Sequence, residues 1–192
     1  MAEPTADRRR VGCFPGSFDP PTVAHLAVAE AAWRQAGLDR VDLVISRGAL
    51  GKEHLDETSV ARRLEALERV CATRPWLGAA VSDARLIAEV AAGYDAVVLG
   101  ADKWRQVIDP AWYGEDPTSP AALAARDAAV AALPRVLVAP RGGDRPEGVE
   151  LLDTEDVHHD VSSSAVRAGA DGAQRWALPE AADQPDWQRG HQ

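Results

Sequence analysis

Thr22 and His25 stand three residues apart in the stretch Val11-Gly-Cys-Phe-Pro-Gly-Ser-Phe-Asp-Pro-Pro-Thr-Val-Ala-His-Leu26, where an apolar run passes through a Gly/Pro turn into a helical pattern. That spacing puts a hydroxyl and an imidazole on one face of the first helical turn, within reach of a single bound group. The turn and the helix N-terminus aim backbone N–H groups the same way, and the helix dipole favours an anion there. Gly16, Ser17 and Phe18 lie in the turn itself and are candidates for backbone contacts. The chemistry predicted is phosphate binding, with two side-chain donors on one anion.

Near the other end of the chain, His158-His-Asp-Val-Ser-Ser-Ser-Ala-Val-Arg167 offers a second set of donors. Ser162, Ser163 and Ser164 read as N-cap residues opening a short helix, with Arg167 one turn inside. Hydroxyls, freed helix N–H groups and a guanidinium together make an anion cradle. The preceding Asp153, Glu155, Asp156, His158, His159 and Asp160 could suggest a metal site. Adjacent residues in a turn rarely converge on one ion, so they are read as a solvated approach to the serine cap and no metal ligands are predicted.

Two shorter features fall between these segments. In Ser46-Arg-Gly-Ala-Leu-Gly-Lys52, Gly48 and Gly51 let a loop approach a ligand, and Lys52, one of two lysines in the chain, supplies a compact point charge. Gly100-Ala-Asp102 follows the apolar run Ala96–Leu99, a position where backbone can approach a nucleotide and a carboxylate can accept from ribose hydroxyls.

The first segment resembles the opening motif of the nucleotidylyltransferase superfamily, G-x-F-D-P-x-[HT]-x-G-H, matching at Gly16, Phe18, Asp19, Pro20, Thr22 and His25 and departing at Ala24, where the motif has glycine. Thr22 in place of histidine is similar to the phosphopantetheine adenylyltransferase version. The serine segment resembles the closing motif I-S-S-[ST]-x-[IV]-R, with Val161 for isoleucine. Gly51-Lys52, Gly100-Ala-Asp102, Trp112-Tyr113 and Trp176-Ala-Leu-Pro-Glu180 resemble nicotinate and nicotinamide mononucleotide adenylyltransferases. The resemblance implies an enzyme that transfers AMP from ATP to a phosphate-bearing acceptor and releases pyrophosphate, with Mg²⁺ arriving on the triphosphate. It implies His25, Thr22 and Lys52 at the reacting phosphates, and Ser162, Ser163, Ser164 and Arg167 on the β- and γ-phosphates. Gly100 and Asp102 become nucleotide or acceptor contacts, and Arg47 a candidate partner for a nicotinate carboxylate. The loop after Ile45 lacks the Pro-Pro-His-Lys pattern of the bacterial enzymes. Transfer from CTP, another acceptor such as phosphopantetheine, or a nucleotide-binding protein without turnover therefore stay open.

These residues need a scaffold that brings two distant segments together. Val11–Phe14, Val41–Ile45, Ala96–Leu99 and Val136–Ala139 are short apolar runs of the kind expected for parallel strands buried on both faces. Between them, Leu26, Ala29 and Trp33 share a helical face, Val60, Leu64, Leu67 and Cys71 recur at helical spacing after a Ser59 cap, and Leu86–Ala92 and Pro120–Leu133 read as further helices. Asp109–Pro120 reads as a loop, Arg141–Gly148 as a surface turn, and the tail from Pro179 as frayed. The alternation predicts an α/β fold with a doubly wound, Rossmann-like parallel sheet, its ligands outside the carboxyl ends of the strands at the switch point.

Composition bounds the reading. A chain of 192 residues with 46% apolar content supports one core, so a single domain is expected, its body about residues 11–180. The net charge of -9 opposes binding to nucleic acid or anionic membranes and points to small ligands. Two cysteines without metal-ligand spacing fit a reducing cytosol, and no apolar stretch has signal-peptide or membrane-span length. G-x-G-x-x-G, P-loop and G-x-S-x-G signatures are absent.

Overall fold

The structure, a computed structural model, describes residues 8–48 and 55–182. Its strands are β1 (Val11–Gly16), β2 (Arg40–Ser46), β3 (Leu77–Ser82), β4 (Ala96–Gly100), β5 (Arg135–Ala139) and β6 (Glu150–Leu151). The helices are α1 (Val23–Ala36), α2 (Glu57–Cys71), α3 (Ile87–Val90), α4 (Ala101–Ile108), α5 (Pro120–Ala131), α6 (Ser163–Arg167) and α7 (Pro179–Ala182). The strands form one sheet in the order β3-β2-β1-β4-β5-β6, and every neighbouring pair is parallel. The chain winds outward from β1 to β3, then returns to lay β4 against the other side of β1, so the switch point falls between β1 and β4.

Side chains alternate across a strand, and the two resulting sets bury different helices. Phe14, Leu43, Ile45, Val98 and Leu137 pack with Ala29 and Ala32 of α1 and with Leu67 and Val70 of α2. Their neighbours Cys13, Val44, Val97 and Leu99 pack with Val90 of α3, Val107 of α4 and Val130 of α5. The sheet is therefore covered on both faces, as its near-continuous apolar strands require.

Several boundaries differ from the sequence expectation. α2 begins at Glu57 because Asp56, not Ser59, is its N-cap; the Asp56 carboxylate accepts from the Ser59 N–H at 2.9 Å and from its hydroxyl at 2.8 Å. The third helix shortens to Ile87–Val90, and the Asp109–Pro120 loop contains a 3-10 turn at Pro110–Trp112. The start of the tail is not frayed: in α7 the Glu180 carboxylate pairs with Arg74 at 2.7 Å, its carbonyl accepts from Arg69, and Ala181 is buried.

Candidate active site

The two motifs meet at the carboxyl ends of β1, β4 and β5. Ser163 Oγ donates to the Pro20 carbonyl at 2.8 Å, and the Arg167 guanidinium donates to the Asp19 carbonyl and lies 3.8 Å from the Asp19 carboxylate. The segment after α6 completes the clamp. Ala177 bridges Thr22 in antiparallel sense, and the Leu178 N–H donates to the Pro21 carbonyl at 3.0 Å, with Leu178 itself buried. The Trp176-Ala-Leu-Pro segment thus anchors the entry to α1.

Around this junction lies a cavity of about 270 Å³. Gly16, Ser17, Phe18, His25, Gly100, Asp102, Ser162, Ser163, Ser164 and Arg167 all line it, so ten of the residues singled out from sequence come together. Lys52 lies outside the described residues.

Thr22 does not line the cavity, which corrects the expectation that its hydroxyl and the imidazole reach one bound group. It is the N-cap of α1 and fully buried, so its side chain turns back onto the first turn of its own helix. The hydroxyl accepts from the His25 N–H at 3.4 Å and stands 2.9 Å from His25 Nδ1, which also receives the Thr22 backbone N–H at 3.0 Å. With Nδ1 accepting a backbone N–H, the hydrogen-bond network assigns the imidazole proton to Nε2. Burial pushes the His25 pKa down to about 4, and the positive charge of Arg141 adds to the shift. The ring of Phe18 lies 5.0 Å from the imidazole and that of Phe14 at 6.1 Å, which supplies the apolar surroundings. His25 is therefore a neutral donor at pH 7, with Nε2–H available to the cavity.

Two glycines are explained by contact. A Cβ on Gly16 would stand 2.6 Å from Phe18 Cζ, so only glycine lets the Phe18 ring lie across the end of β1. Phe18 itself has φ +45°, an uncommon backbone conformation for a bulky residue, and its ring is 1% exposed. A Cβ on Gly100 would meet Asp102 Oδ1 at 2.7 Å, so the carboxylate folds over the glycine at the start of α4. Ala24, where the motif has glycine, lines the cavity and is 7% exposed.

The three serines divide their tasks. Ser162 caps α6 by accepting from the Ala165 N–H at 3.1 Å, Ser163 holds the Pro20 carbonyl, and Ser164 accepts from the Arg167 guanidinium at 3.2 Å. The approach to them is not simply solvated, because His158 and His159 also line the cavity and His159 is nearly buried, facing the Thr154 hydroxyl at 3.1 Å. No three His, Cys, Asp or Glu side chains among the described residues are grouped to hold a metal ion.

Sequence reasoning missed Arg63, Arg85, Lys103 and Arg141. Arg141 follows β5 and lines the cavity of about 270 Å³. A second cavity of about 80 Å³ adjoins it, lined by Ser46, Leu55, Leu86, Ile87, Trp112 and Tyr113 with the cations Arg63, Arg85 and Lys103. Arg63 donates to the Ser17 carbonyl at 3.3 Å and pairs with Asp19 at 2.9 Å. Arg47 is not in this wall, which corrects its candidacy for the acceptor carboxylate: Glu57 at 2.5 Å and Asp83 at 3.0 Å hold its guanidinium. The signal available in sequence was position alone, since Arg141 and Lys103 sit just past the carboxyl ends of strands.

The cytidylyltransferase-like family profile matches residues 13–169. A probable nicotinate-nucleotide adenylyltransferase of Bordetella pertussis is 40% identical over 68 residues, 35% of this chain and 34% of the relative. One from Agrobacterium fabrum is 32% identical over 120 residues, 52% of this chain and 64% of that one. The matched stretches thus span about a third of the Bordetella relative and just under two thirds of the Agrobacterium one. The fold is similar to that of Plasmodium falciparum nicotinic acid mononucleotide adenylyltransferase complexed with NaAD, at TM-score 0.60 and 14% identity, covering 91% of this chain and 93% of that one.

Proposed function

The chain belongs to the cytidylyltransferase-like family, and on that premise we propose that it transfers AMP from ATP to the phosphate of a pyridine mononucleotide such as nicotinate mononucleotide, releasing pyrophosphate. One observation carries the reading: His25, the serine cap and Arg167, distant in sequence, line one cavity at the switch point of the sheet, beside a smaller, aromatic-walled one. The larger takes the nucleotide and the smaller the acceptor, whose flat ring suits a slot walled by Leu86, Ile87, Trp112 and Tyr113. The adenylyltransferase relatives and the NaAD complex of the structural neighbour support that choice of acceptor.

An acceptor phosphate oxygen attacks the α-phosphorus in line, a new P–O–P bond forms, and the bond from the α-phosphorus to the α–β bridging oxygen breaks. No protein nucleophile is required and the acceptor is already ionised, so the protein contributes positioning and charge stabilisation. In this reading His25 Nε2–H donates to the α-phosphate oxygens, where charge grows. Thr22 acts through the imidazole, holding its tautomer. Ser162, Ser163, Ser164 and Arg167 frame the β- and γ-phosphates, the Gly16-Ser17-Phe18 backbone lies along the nucleotide, and Gly100 and Asp102 meet its ribose. Asp102 is the one carboxylate among the larger cavity's described lining residues, too few for a protein cage, so Mg²⁺ would be carried in on the triphosphate and, when bound, would supply charge neutralisation for the pyrophosphate. One sheet carries both cavities, which supports a single domain. Two free cysteines, one buried and one half-buried, support a reducing compartment. No helix among the described residues is long and apolar enough to cross a membrane.

The test is pyrophosphate release with ATP and CTP against nicotinate mononucleotide, nicotinamide mononucleotide, phosphopantetheine and simple sugar phosphates. ATP with a pyridine mononucleotide should give the highest kcat/KM. Preference for CTP or a non-pyridine acceptor would overturn the substrate assignment, and release with no pair would overturn the activity.

A further inference from the structure

The two cavities have four lining residues in common: Pro15, Gly16, Ser17 and Lys103. The first three form the end of β1 and its turn, and Lys103 is the only one that brings a formal charge. Nucleotidyl transfer constrains what happens at that wall. The acceptor phosphate must approach the α-phosphorus from one cavity while the triphosphate lies in the other, so two anions are pressed together where the cavities join. Their repulsion opposes the approach, and the pentacoordinate arrangement concentrates charge on the non-bridging oxygens.

Resting on the transfer reading above, we propose that Lys103 is a catalytic residue, its ammonium lying between the acceptor phosphate and the α-phosphate. The geometry that places it is local. Lys103 is the third residue of α4, which starts where β4 ends at the switch point, and its Nζ donates to Gln106 Oε1 one turn on, itself in the wall of the acceptor cavity. The helix therefore projects the side chain along the shared wall and the glutamine steadies it. The residue type also suits the task. Of 21 basic residues only Lys52 and Lys103 are lysines, and a compact ammonium with three rotatable donors can follow two phosphates whose separation shrinks during the reaction. A rigid guanidinium fork grips one oxyanion face instead.

Single-turnover transfer should be measured for wild type, Lys103→Met, Lys103→Gln and Lys103→Arg, with the fold checked by thermal melting. Calorimetry would give Kd for a non-hydrolysable ATP analogue and for the acceptor. Both neutral variants should lose roughly a hundredfold in rate, the scale for one preorganised oxyanion donor, with each Kd moving by less than about tenfold. Lys103→Arg should recover part of the rate. The rate ratio between the two diastereomers of ATP carrying sulfur on the α-phosphate should change in the neutral variants, which a merely structural role would not produce. Folded neutral variants with near wild-type rates, a loss lying wholly in Kd, or an unchanged diastereomer ratio would overturn the assignment alone. Absence of transfer by the wild-type protein would overturn the activity reading and this assignment together.

Discussion

Acidifying the free protein should protonate His25 far below the usual histidine range, and the cost should appear in stability. The imidazole pKa is lowered from 6.5 to about 4, so between those values the unfolded chain binds a proton that the folded chain does not. Stability from this group is then complete above pH 6.5, falls with pH through the window, and is lost near pH 4. At 1.36 kcal/mol per pKa unit the full loss is about 3 kcal/mol. Its origin is visible: Phe14 and Phe18 strip water from the ring, Arg141 adds like charge, and a proton on Nδ1 would face the Thr22 N–H that now donates to it. Urea denaturation at pH 7, 5.5 and 4.5 for wild type and His25→Asn isolates the effect, because carboxylate titrations common to both cancel. The wild type should lose about 2 kcal/mol more than the variant between pH 7 and 4.5, the rest of the full loss falling below pH 4.5. Long-range ¹H–¹⁵N spectra at pH 7 should show a neutral ring protonated on Nε2. A titration midpoint near 6.5, the Nδ1–H tautomer, or equal pH slopes in the two proteins would refute the reasoning.

Asp19→Asn should destabilise the fold by about 2 kcal/mol in urea melts, less than the loss for breaking a fully buried ion pair, since Arg63 keeps its bond to the Ser17 carbonyl and is 13% exposed; an unchanged midpoint would show that solvent replaces the carboxylate. Arg167→Lys keeps the charge but loses the planar fork held by Ser164 and Asp19, so calorimetry should show ATP binding weakened by about tenfold with AMP binding little changed. Equal losses for AMP and ATP would move Arg167 away from the β- and γ-phosphates.

The strands legible in sequence are those with unbroken apolar runs, and their counterparts β1, β2, β4 and β5 are buried on both faces. β3, Leu77-Gly-Ala-Ala-Val-Ser82, is not legible as a strand because four of its six residues are Gly, Ala or Ser. A Cβ on Gly78 would stand 2.1 Å from both the Arg40 guanidinium and the Asp42 carboxylate, so a polar pair lying over the strand takes the place of the apolar pattern that marks its neighbours. β6 spans two residues and leaves no periodicity to read. At the site, spacing placed Thr22 beside His25 correctly and misjudged where its hydroxyl points. The rule for residues three apart holds within a helix, and Thr22 is the cap, whose side chain serves the helix N–H groups.

Charge shows most clearly what spacing cannot reach. The protein carries a net -9, yet the formally charged side chains lining the two cavities are Arg63, Arg85, Lys103, Arg141 and Arg167 against Asp102 alone among the described residues. They come from α2, the β3–α3 connection, α4, the loop after β5 and α6, so no window of sequence contains the cluster. An acidic exterior repels extended polyanions, while a cationic cleft at the switch point draws in small ones. The same separation of charge also makes pairing inside the cleft necessary. Asp19, bridging Arg63 and Arg167, holds two of these cations at fixed positions when no phosphate is there to do so. The aspartate of the first motif thus orders the arginines that face each cavity, and under the proposed reading a triphosphate entering the larger one would meet a guanidinium already held in place.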